Sequence, residues 1–400
     1  MKILILNTVY EPYLNNFYKK NPNVINILFK DHKEQMLNDF LTWPTVLANY
    51  MNNKGYNVEV IIDNAEILQK TWANENNLKI INGLKWRETI VLGQIKKYKP
   101  DLLLILNPEV RHYVYINDAK SDYKKLAFFL GHDISNKKLI KQADILFTSS
   151  KEYVYNEFPE IENLYQIGVF FPSKVLNKIA HTKKIYDIVF VGNITHQHKR
   201  RAEILAYLVK NDVDLKIFSS LAKIDFISKV RRIISSIIRR KGIRKILTTV
   251  RDLIVPSDFS RNINVLSKVC LPPVYAKDYY KCLSSAKISL NIHIDMTTKF
   301  SGNNRMYDVT GVGSCLITDK KITNNNLFEI NKEIIEFNSK EDLLKILEDA
   351  KSDNYSKVEE IAKRGQEKTL SNYTESTTFA KLESVLNLNN KKNIKINELI

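Results

Sequence analysis

The densest concentration of residues able to handle a phosphorylated ligand is Asn303-Asn304-Arg305-Met306-Tyr307-Asp308-Val309-Thr310-Gly311-Val312-Gly313-Ser314-Cys315-Leu316-Ile317-Thr318-Asp319. A polar loop leads into a short helix carrying Arg305 and Asp308 one turn apart, and a Gly-rich break then returns the chain to a buried strand. The N-terminus of such a helix, at Asn304, offers free N–H groups and a positive dipole to a diphosphate. Arg305 adds charge-assisted bonds, Asp308 can accept from ribose hydroxyls, and Gly311 and Gly313 permit close backbone approach. The same residues also fit a plainer arrangement in which the glycines only close a helix and Arg305 pairs with Asp308.

A second cluster is Asp187-Ile188-Val189-Phe190-Val191-Gly192-Asn193, followed by His196, His198, Lys199, Arg200 and Arg201. Gly192 and Asn193 form a turn after a strand, where a glycine lets backbone approach phosphate, and Lys199, Arg200 and Arg201 open the helix that follows. Arg200 or Arg201 can neutralise a leaving diphosphate as charge develops; a solvated helix start is the simpler alternative. No carboxylate or cysteine stands at metal-ligand spacing from His196 and His198, so no metal site is expected. In the first half, His132 and Asp133 follow a strand and could orient or deprotonate a hydroxyl, or could pair structurally. Asn7, Tyr10 and Glu11 are comparable candidates.

These residues need a scaffold that gathers strand ends. Short apolar strands at Ile3–Leu6, Val58–Ile62, Leu102–Leu106, Ala127–Leu130, Ile145–Thr148 and Tyr165–Gly168 alternate with amphipathic stretches, the pattern of a doubly wound α/β domain. Several end in a polar or small residue, Asn7, Asp63, Asn107, Gly131 or Ser149, where an open parallel sheet presents its binding loops. From Phe170 to Tyr186 the pattern lapses into a linker. A second α/β pattern follows, with strands at Asp187–Val191, Val213–Phe218, Ala286–Asn291 and Cys315–Thr318 and helices at Lys199–Val209 and from Arg305. The expected division is a first Rossmann-like domain over 1–172, a second α/β domain over 173–365, a closing helix over 366–388 and a mobile tail over 389–400.

Within the second domain, residues 221–255 place Ile227, Val230, Ile234, Ile237, Ile238, Ile243, Ile246 and Leu247 at helical spacing, with arginines and lysines between them. This predicts a basic amphipathic helical insert hinged near Gly242. Its apolar stripe can pack on the domain or enter the boundary of an anionic membrane, and nucleic acid is a third, less favoured partner.

The chain has 400 residues, enough for two cores, and 44% hydrophobic residues to fill them. Its net charge of +17 calls for an anionic partner without choosing one. Three cysteines without metal spacing, no secretory leader and no apolar run long enough to cross a bilayer give the expectation of a cytoplasmic protein, with the insert able to hold it on the inner face of the membrane.

The Arg305–Asp319 segment resembles the signature of the group-1 glycosyltransferases, in particular their spore-maturation-protein (CgeB-like) branch, with its Arg-x-Phe-Glu, glycine and Leu-Leu-Thr-Asp pattern. Tyr307-Asp308 stands for Phe-Glu, and Phe300 stands where the wider retaining family has a first glutamate. Phe190-Val191-Gly192-Asn193, Ser289-Leu290-Asn291-Ile292-His293, Phe328-Glu329 and Gly365 to Leu382 are similar to further parts of the same domain. Leu130-Gly131-His132-Asp133 and Ala143 to Ser149 are similar to the acceptor domain. The resemblance implies a GT-B fold, two Rossmann-like domains facing a cleft. It implies metal-independent, retaining transfer from a nucleotide-diphosphate sugar to a glycan or lipid-linked hydroxyl in surface polysaccharide biosynthesis, without a cofactor. A nucleotide-sugar epimerase of the same fold, and a non-catalytic or nucleic-acid-binding basic protein, are the alternatives.

Overall fold

The computed structural model describes residues 1–39, 42–80, 85–131, 137–149, 154–155, 159–221, 257–295, 299, 301 and 303–388. The proposed insert, apart from Leu221, and the tail over 389–400 lie outside the described residues, as do His132, Asp133 and Phe300. The chain divides into two compact units, Met1–Lys178 with Thr369–Ile400, and Ile179–Lys368.

In the first unit, β1 (Lys2–Asn7), β2 (Asn57–Ile62), β3 (Leu102–Leu106), β4 (Lys125–Leu130), β5 (Ile145–Thr148) and β6 (Leu164–Gln166) form one sheet in the order β2-β1-β3-β4-β5-β6. Every neighbouring pair is parallel. Parallel strands are covered on both faces and so read as continuous apolar runs, and all five residues of Leu-Leu-Leu-Ile-Leu in β3 are buried. Alternate residues serve opposite faces. Ile3, Ile5, Leu102 and Leu104 pack with Leu47 and Met51, while Leu4, Leu6, Leu103 and Ile105 pack with Val91, Ile95 and Tyr115.

The last described helix, Glu375–Leu388, also belongs to the first unit: Phe379, Leu382, Val385 and Leu386 join the face of Ile3 and Ile5, and Phe379 stacks on Tyr50 at 4.4 Å. The segment read as a linker has structure of its own. Phe170 and Phe171 are buried, Phe171 bridges Thr374, Val175–Ile179 is a short helix, and Ser173 is held through its N–H and its hydroxyl by the Glu375 carboxylate.

In the second unit, β7 (Tyr186–Val191), β8 (Leu215–Phe218), β9 (Cys270–Leu271), β10 (Ala286–Asn291), β11 (Cys315–Asp319) and β12 (Ile335–Phe337) form a sheet in the order β12-β11-β10-β7-β8-β9, again with parallel neighbours throughout. Its core joins Ile188, Phe190, Ile288, Leu290 and Ile317 with apolar faces of the helices Lys199–Lys210, Asp258–Leu266 and Lys340–Ser352. Each sheet reverses its winding once, between β1 and β3 in the first unit and between β7 and β10 in the second. Loops leaving the carboxyl ends of the two strands at such a point diverge and leave a crevice, the usual ligand site of an open α/β sheet.

Candidate functional site

In the second unit the switch point is built from three strand ends. β7 ends in Val191 and continues to Gly192, β10 ends in Asn291, and β11 ends in Asp319. The helix Asn304–Gly311 starts beside them, because Asn303 at its N-cap donates through Nδ2 to Asn291 Oδ1 at 2.8 Å. Asn304 is exposed at the helix start. Arg305 donates through Nη1 to the same Asn291 oxygen at 3.1 Å, and its guanidinium lies over the Phe190 ring at 5.3 Å. Among the described residues no carboxylate pairs with Arg305, and its buried Nε–H has no acceptor. Backbone at Gly192 comes so close that a Cβ there would overlap the guanidinium. The sequence therefore holds one close-approach glycine at this site, Gly192.

Gly311 and Gly313 occupy the other end of the helix. Gly313 has φ +75°, its carbonyl and that of Ala286, the first residue of β10, both accept from Lys184 Nζ (2.7 and 2.8 Å), and Gln366 donates to the Gly311 carbonyl. They stand at the amino edge of the sheet and close the helix, at the opposite end from Arg305.

The basic cluster after β7 separates into distinct roles. Arg201 is buried, donates to the carbonyls of Ile292 (3.0 Å from Nε) and Asn193 (2.6 Å from Nη1), and lies over the Phe190 ring at 5.5 Å from its centroid. Its donors are engaged by main chain, and it fixes the Gly192 loop against the end of β10. Arg200 is half exposed and reaches Asp319 Oδ2 with Nη1 at 3.3 Å. Lys199 is exposed, its N–H held by Asp295 at 2.7 Å, and Asn193 Oδ1 accepts from Ser220 at 2.7 Å. His198 binds Thr195 within its own turn at 2.8 Å, and burial beside the charges of Arg201 and Arg305 lowers its pKa to about 4. The site thus faces its crevice with Gly192, Arg200 and Arg305, while Arg201 supports it.

Asp308 is buried, and its Oδ2 accepts from the Tyr279 hydroxyl at 3.0 Å. Burial pushes this carboxyl up to about 7, against hydrogen bonds from Tyr279 and Tyr280 and the charge of Arg305, which pull it down. The carboxylate expected to meet a ribose is thus committed to the two tyrosines.

Asp319 is the hub that sequence reading missed. Its carboxylate is buried and holds the His293 ring at 2.7 Å, the His293 N–H at 3.0 Å, Lys321 at 3.2 Å and Arg200 at 3.3 Å. Burial opposes ionisation, yet these donors hold the acid well below the usual carboxylate range. Because a carboxylate only accepts, His293 Nδ1 carries the proton, and burial keeps the ring neutral. Asp319 closes the Leu-Leu-Thr-Asp-like stretch and His293 ends the Ser289–His293 segment, but their pairing with each other and with Arg200 comes from strand order and no single stretch of sequence shows it.

Among the described residues, no helix is long and apolar enough to cross a membrane, and no group of three or more His, Cys, Asp or Glu could hold a metal ion. The family described as glycosyl transferase-like matches residues 231–384, less than half of the chain. No curated protein matches the sequence significantly.

Among solved structures, Anabaena HepE, determined with UDP and glucose and with UDP-glucose, is similar at TM-score 0.58 and 12% identity, covering 97% of this chain and 100% of that one. Sucrose-phosphate synthase from Thermosynechococcus elongatus is similar at TM-score 0.56 and 10% identity, covering 97% and 98%. Staphylococcus aureus TarM matches at TM-score 0.49 and 14% identity over 75% of this chain, which spans only 59% of TarM. Two doubly wound parallel sheets of this order, shared over nearly full length with HepE and the sucrose-phosphate synthase, give the chain the GT-B fold.

Proposed function

We propose that the chain is a retaining glycosyltransferase that takes a nucleoside-diphosphate sugar, of the UDP class, and transfers its sugar to a hydroxyl of a glycan or lipid-linked acceptor. The observation that carries this reading is Arg305: a guanidinium in no ion pair with a carboxylate among the described residues, stacked on Phe190, at the N-terminus of a helix and against Gly192 at the switch point of the second sheet. A diphosphate suits that position, because it accepts several charge-assisted bonds and gains from the helix dipole. Arg200, positioned by Asp319, adds a second charge. The glycosyl transferase-like match over this unit and the UDP and UDP-glucose bound by HepE support the donor class.

In the transfer, the bond between the sugar C1 and the diphosphate oxygen breaks, a bond from the acceptor oxygen to C1 forms, and the acceptor proton leaves with the diphosphate. Charge grows on the leaving oxygen as the bond lengthens, so fixed guanidinium groups there stabilise the transition state more than the ground state. Arg305 and Arg200 supply that charge without a divalent metal in this proposal. Retention, the CgeB-like branch, polysaccharide biosynthesis and a place at the inner membrane face through residues 221–255 rest on the family resemblance and the charge pattern.

The test is a thermal-shift series with UDP, GDP, dTDP, ADP and CMP, with and without EDTA, on wild type and Arg305→Ala. A ligand bound only by the folded state raises its stability by RT ln(1 + [L]/Kd). Stabilisation by a uridine diphosphate that survives EDTA and is lost in Arg305→Ala supports the proposal; no response to any nucleotide overturns it.

A further inference from the structure

The crevice of the first sheet, between the carboxyl ends of β1 and β3, holds a second convergence of charge. Asp63, directly after β2, is fully buried and accepts from Thr8 at 2.7 Å and from Arg87 at 2.6 Å. Behind it, His112 accepts the Glu109 N–H on Nδ1 at 2.7 Å, so its proton sits on Nε2, which faces Asp63 Oδ2 at 3.7 Å. Burial alone would raise the Asp63 acid, but the nearby His112 N–H, the charge and bond of Arg87 and the bond from Thr8 hold it below the usual carboxylate range.

Arg111 arrives on the same hydroxyl from a different element. β3 ends at Leu106, and Asn107 turns in the left-handed region at φ +48°, a conformation that asparagine tolerates better than most residues. Four residues later, Arg111 Nη2 reaches Thr8 Oγ1 at 3.0 Å, while Arg87 Nη2 reaches it at 3.2 Å. Two guanidinium groups therefore share one small acceptor. Arg87 lies in the first turn of the helix Trp86–Tyr98, whose N-cap, Lys85, provides no side-chain cap.

The compensation is uneven. Arg87 has the buried Asp63, whereas Arg111 forks with both terminal nitrogens onto Glu109, a carboxylate two residues away whose side chain is 55% exposed. About half of the Glu109 side chain lies open to water, so a competing anion can displace it from Arg111 more easily than Asp63 can be displaced from Arg87. The Nε–H groups of both Arg87 and Arg111 are buried with no acceptor among the described residues. Such donors are costly to leave unpaired, and a bidentate anion is what a pair of guanidinium edges fits.

We propose that the first unit binds an anionic group, a phosphate ester or a carboxylate, between Arg87 and Arg111 over Thr8. On the glycosyl-transfer reading this group belongs to the acceptor, which makes the acceptor a phosphorylated or uronate-type molecule; anion binding itself does not depend on that reading. The site is tested on the full chain by calorimetric titration of inorganic phosphate, glycerol phosphate and glucuronate into wild type, Arg305→Ala and Arg111→Gln. Arg111 is chosen because Arg87→Gln would strand the buried Asp63.

The expected result is binding in wild type and Arg305→Ala and a tenfold or greater loss in Arg111→Gln, while UDP binding in Arg111→Gln matches wild type. The stronger of glycerol phosphate and glucuronate then distinguishes the phosphate from the carboxylate source. Anion binding that disappears in Arg305→Ala and persists in Arg111→Gln overturns the proposal, as does no binding of any of the three anions. Failure of UDP binding in every variant, with anion binding still sensitive to Arg111, would overturn the nucleotide reading alone. Arg111→Lys, which keeps the charge and loses the fork, should recover only part of the affinity, and a melting curve like that of wild type shows that the loss is not unfolding.

Discussion

The Arg305 guanidinium fills the space beside Gly192 into which any side chain at that position would project. Gly192 also holds φ +158°, where a side chain is strained, so Gly192→Ala should lose some stability as well as push the flexible Arg305 tip from its place over Phe190. Losing one well-placed charge-assisted bond costs about 1.5–3 kcal/mol, so nucleotide affinity should fall roughly tenfold to a hundredfold. Isothermal titration of UDP, with a melting curve as control, checks this. Unchanged affinity would mean that Arg305 does not meet the nucleotide.

Gly313→Ala should behave in the opposite way. The residue sits at φ +75° with Gln366 against it, at the far end of the helix from Arg305. A side chain in that conformation costs on the order of 1 kcal/mol, read as a lower urea midpoint with UDP affinity unchanged.

Arg201 and Arg305 share the Phe190 ring but should separate cleanly by assay. Arg201→Ala removes buried bonds to the Ile292 and Asn193 carbonyls, and unpaired buried polar groups cost about 1–3 kcal/mol each. Its stability in urea should therefore fall by several kcal/mol. Arg305→Ala should change stability by less than about 1 kcal/mol, the usual range for a partly exposed side chain outside the core, while abolishing nucleotide-induced stabilisation.

Much of this fold is legible in the sequence because parallel strands buried on two faces are short apolar runs, as in Leu102–Leu106. The two edge strands of the second sheet escape notice: β9 has two residues and β12 three, too few for a period to register. The candidate site was legible where it lies within one segment, as at Arg305 following a polar loop. It was not legible where strand order assembles it. Gly192 and Arg305 are more than a hundred residues apart and meet because β7 and β10 are neighbours. Thr8, Asp63, Arg87 and Arg111 come together for the same reason around β1, and each alone is an ordinary strand-end or surface residue. The glycines illustrate the reverse case: Gly311 and Gly313 lie close to Arg305 in sequence, yet a helix carries them to the other edge of the sheet.

Asp319→Asn should be among the most damaging single substitutions in the second unit. It leaves buried Lys321 without its carboxylate and releases His293 and Arg200; breaking a buried ion pair from one side costs about 3–5 kcal/mol. The folded-state acid is depressed, so its stabilisation is present above the unfolded carboxylate pKa and is lost as pH falls through the lower folded value. Wild type should accordingly lose stability on acidification below pH about 4 more steeply than Asp319→Asn, as urea midpoints across that range would show. Parallel curves would mean that Asp319 is not the ionised hub.

Asp308 has the opposite sign. Its carboxyl is raised to about 7 in the folded chain by burial against Tyr279 and Tyr280. A raised acid binds its proton more tightly when folded, so its favourable contribution is complete below the unfolded pKa of about 4 and disappears as pH climbs through about 7. A shift of this size corresponds to at most about 4 kcal/mol between the two ends of that window. Wild type should therefore lose stability relative to Asp308→Asn as pH rises from 4 to 8, the window set by the folded and unfolded values. The amide never ionises, so its curve carries no such slope, and urea midpoints at each pH give the difference directly. Nucleotide affinity supplies a second readout: ionised Asp308 places a negative charge one helical turn from Arg305, so UDP should bind more weakly at pH 8 than at pH 6 in wild type, with the dependence reduced in Asp308→Asn. A wild-type and variant pair with the same pH slope would place the carboxyl outside that buried tyrosine setting.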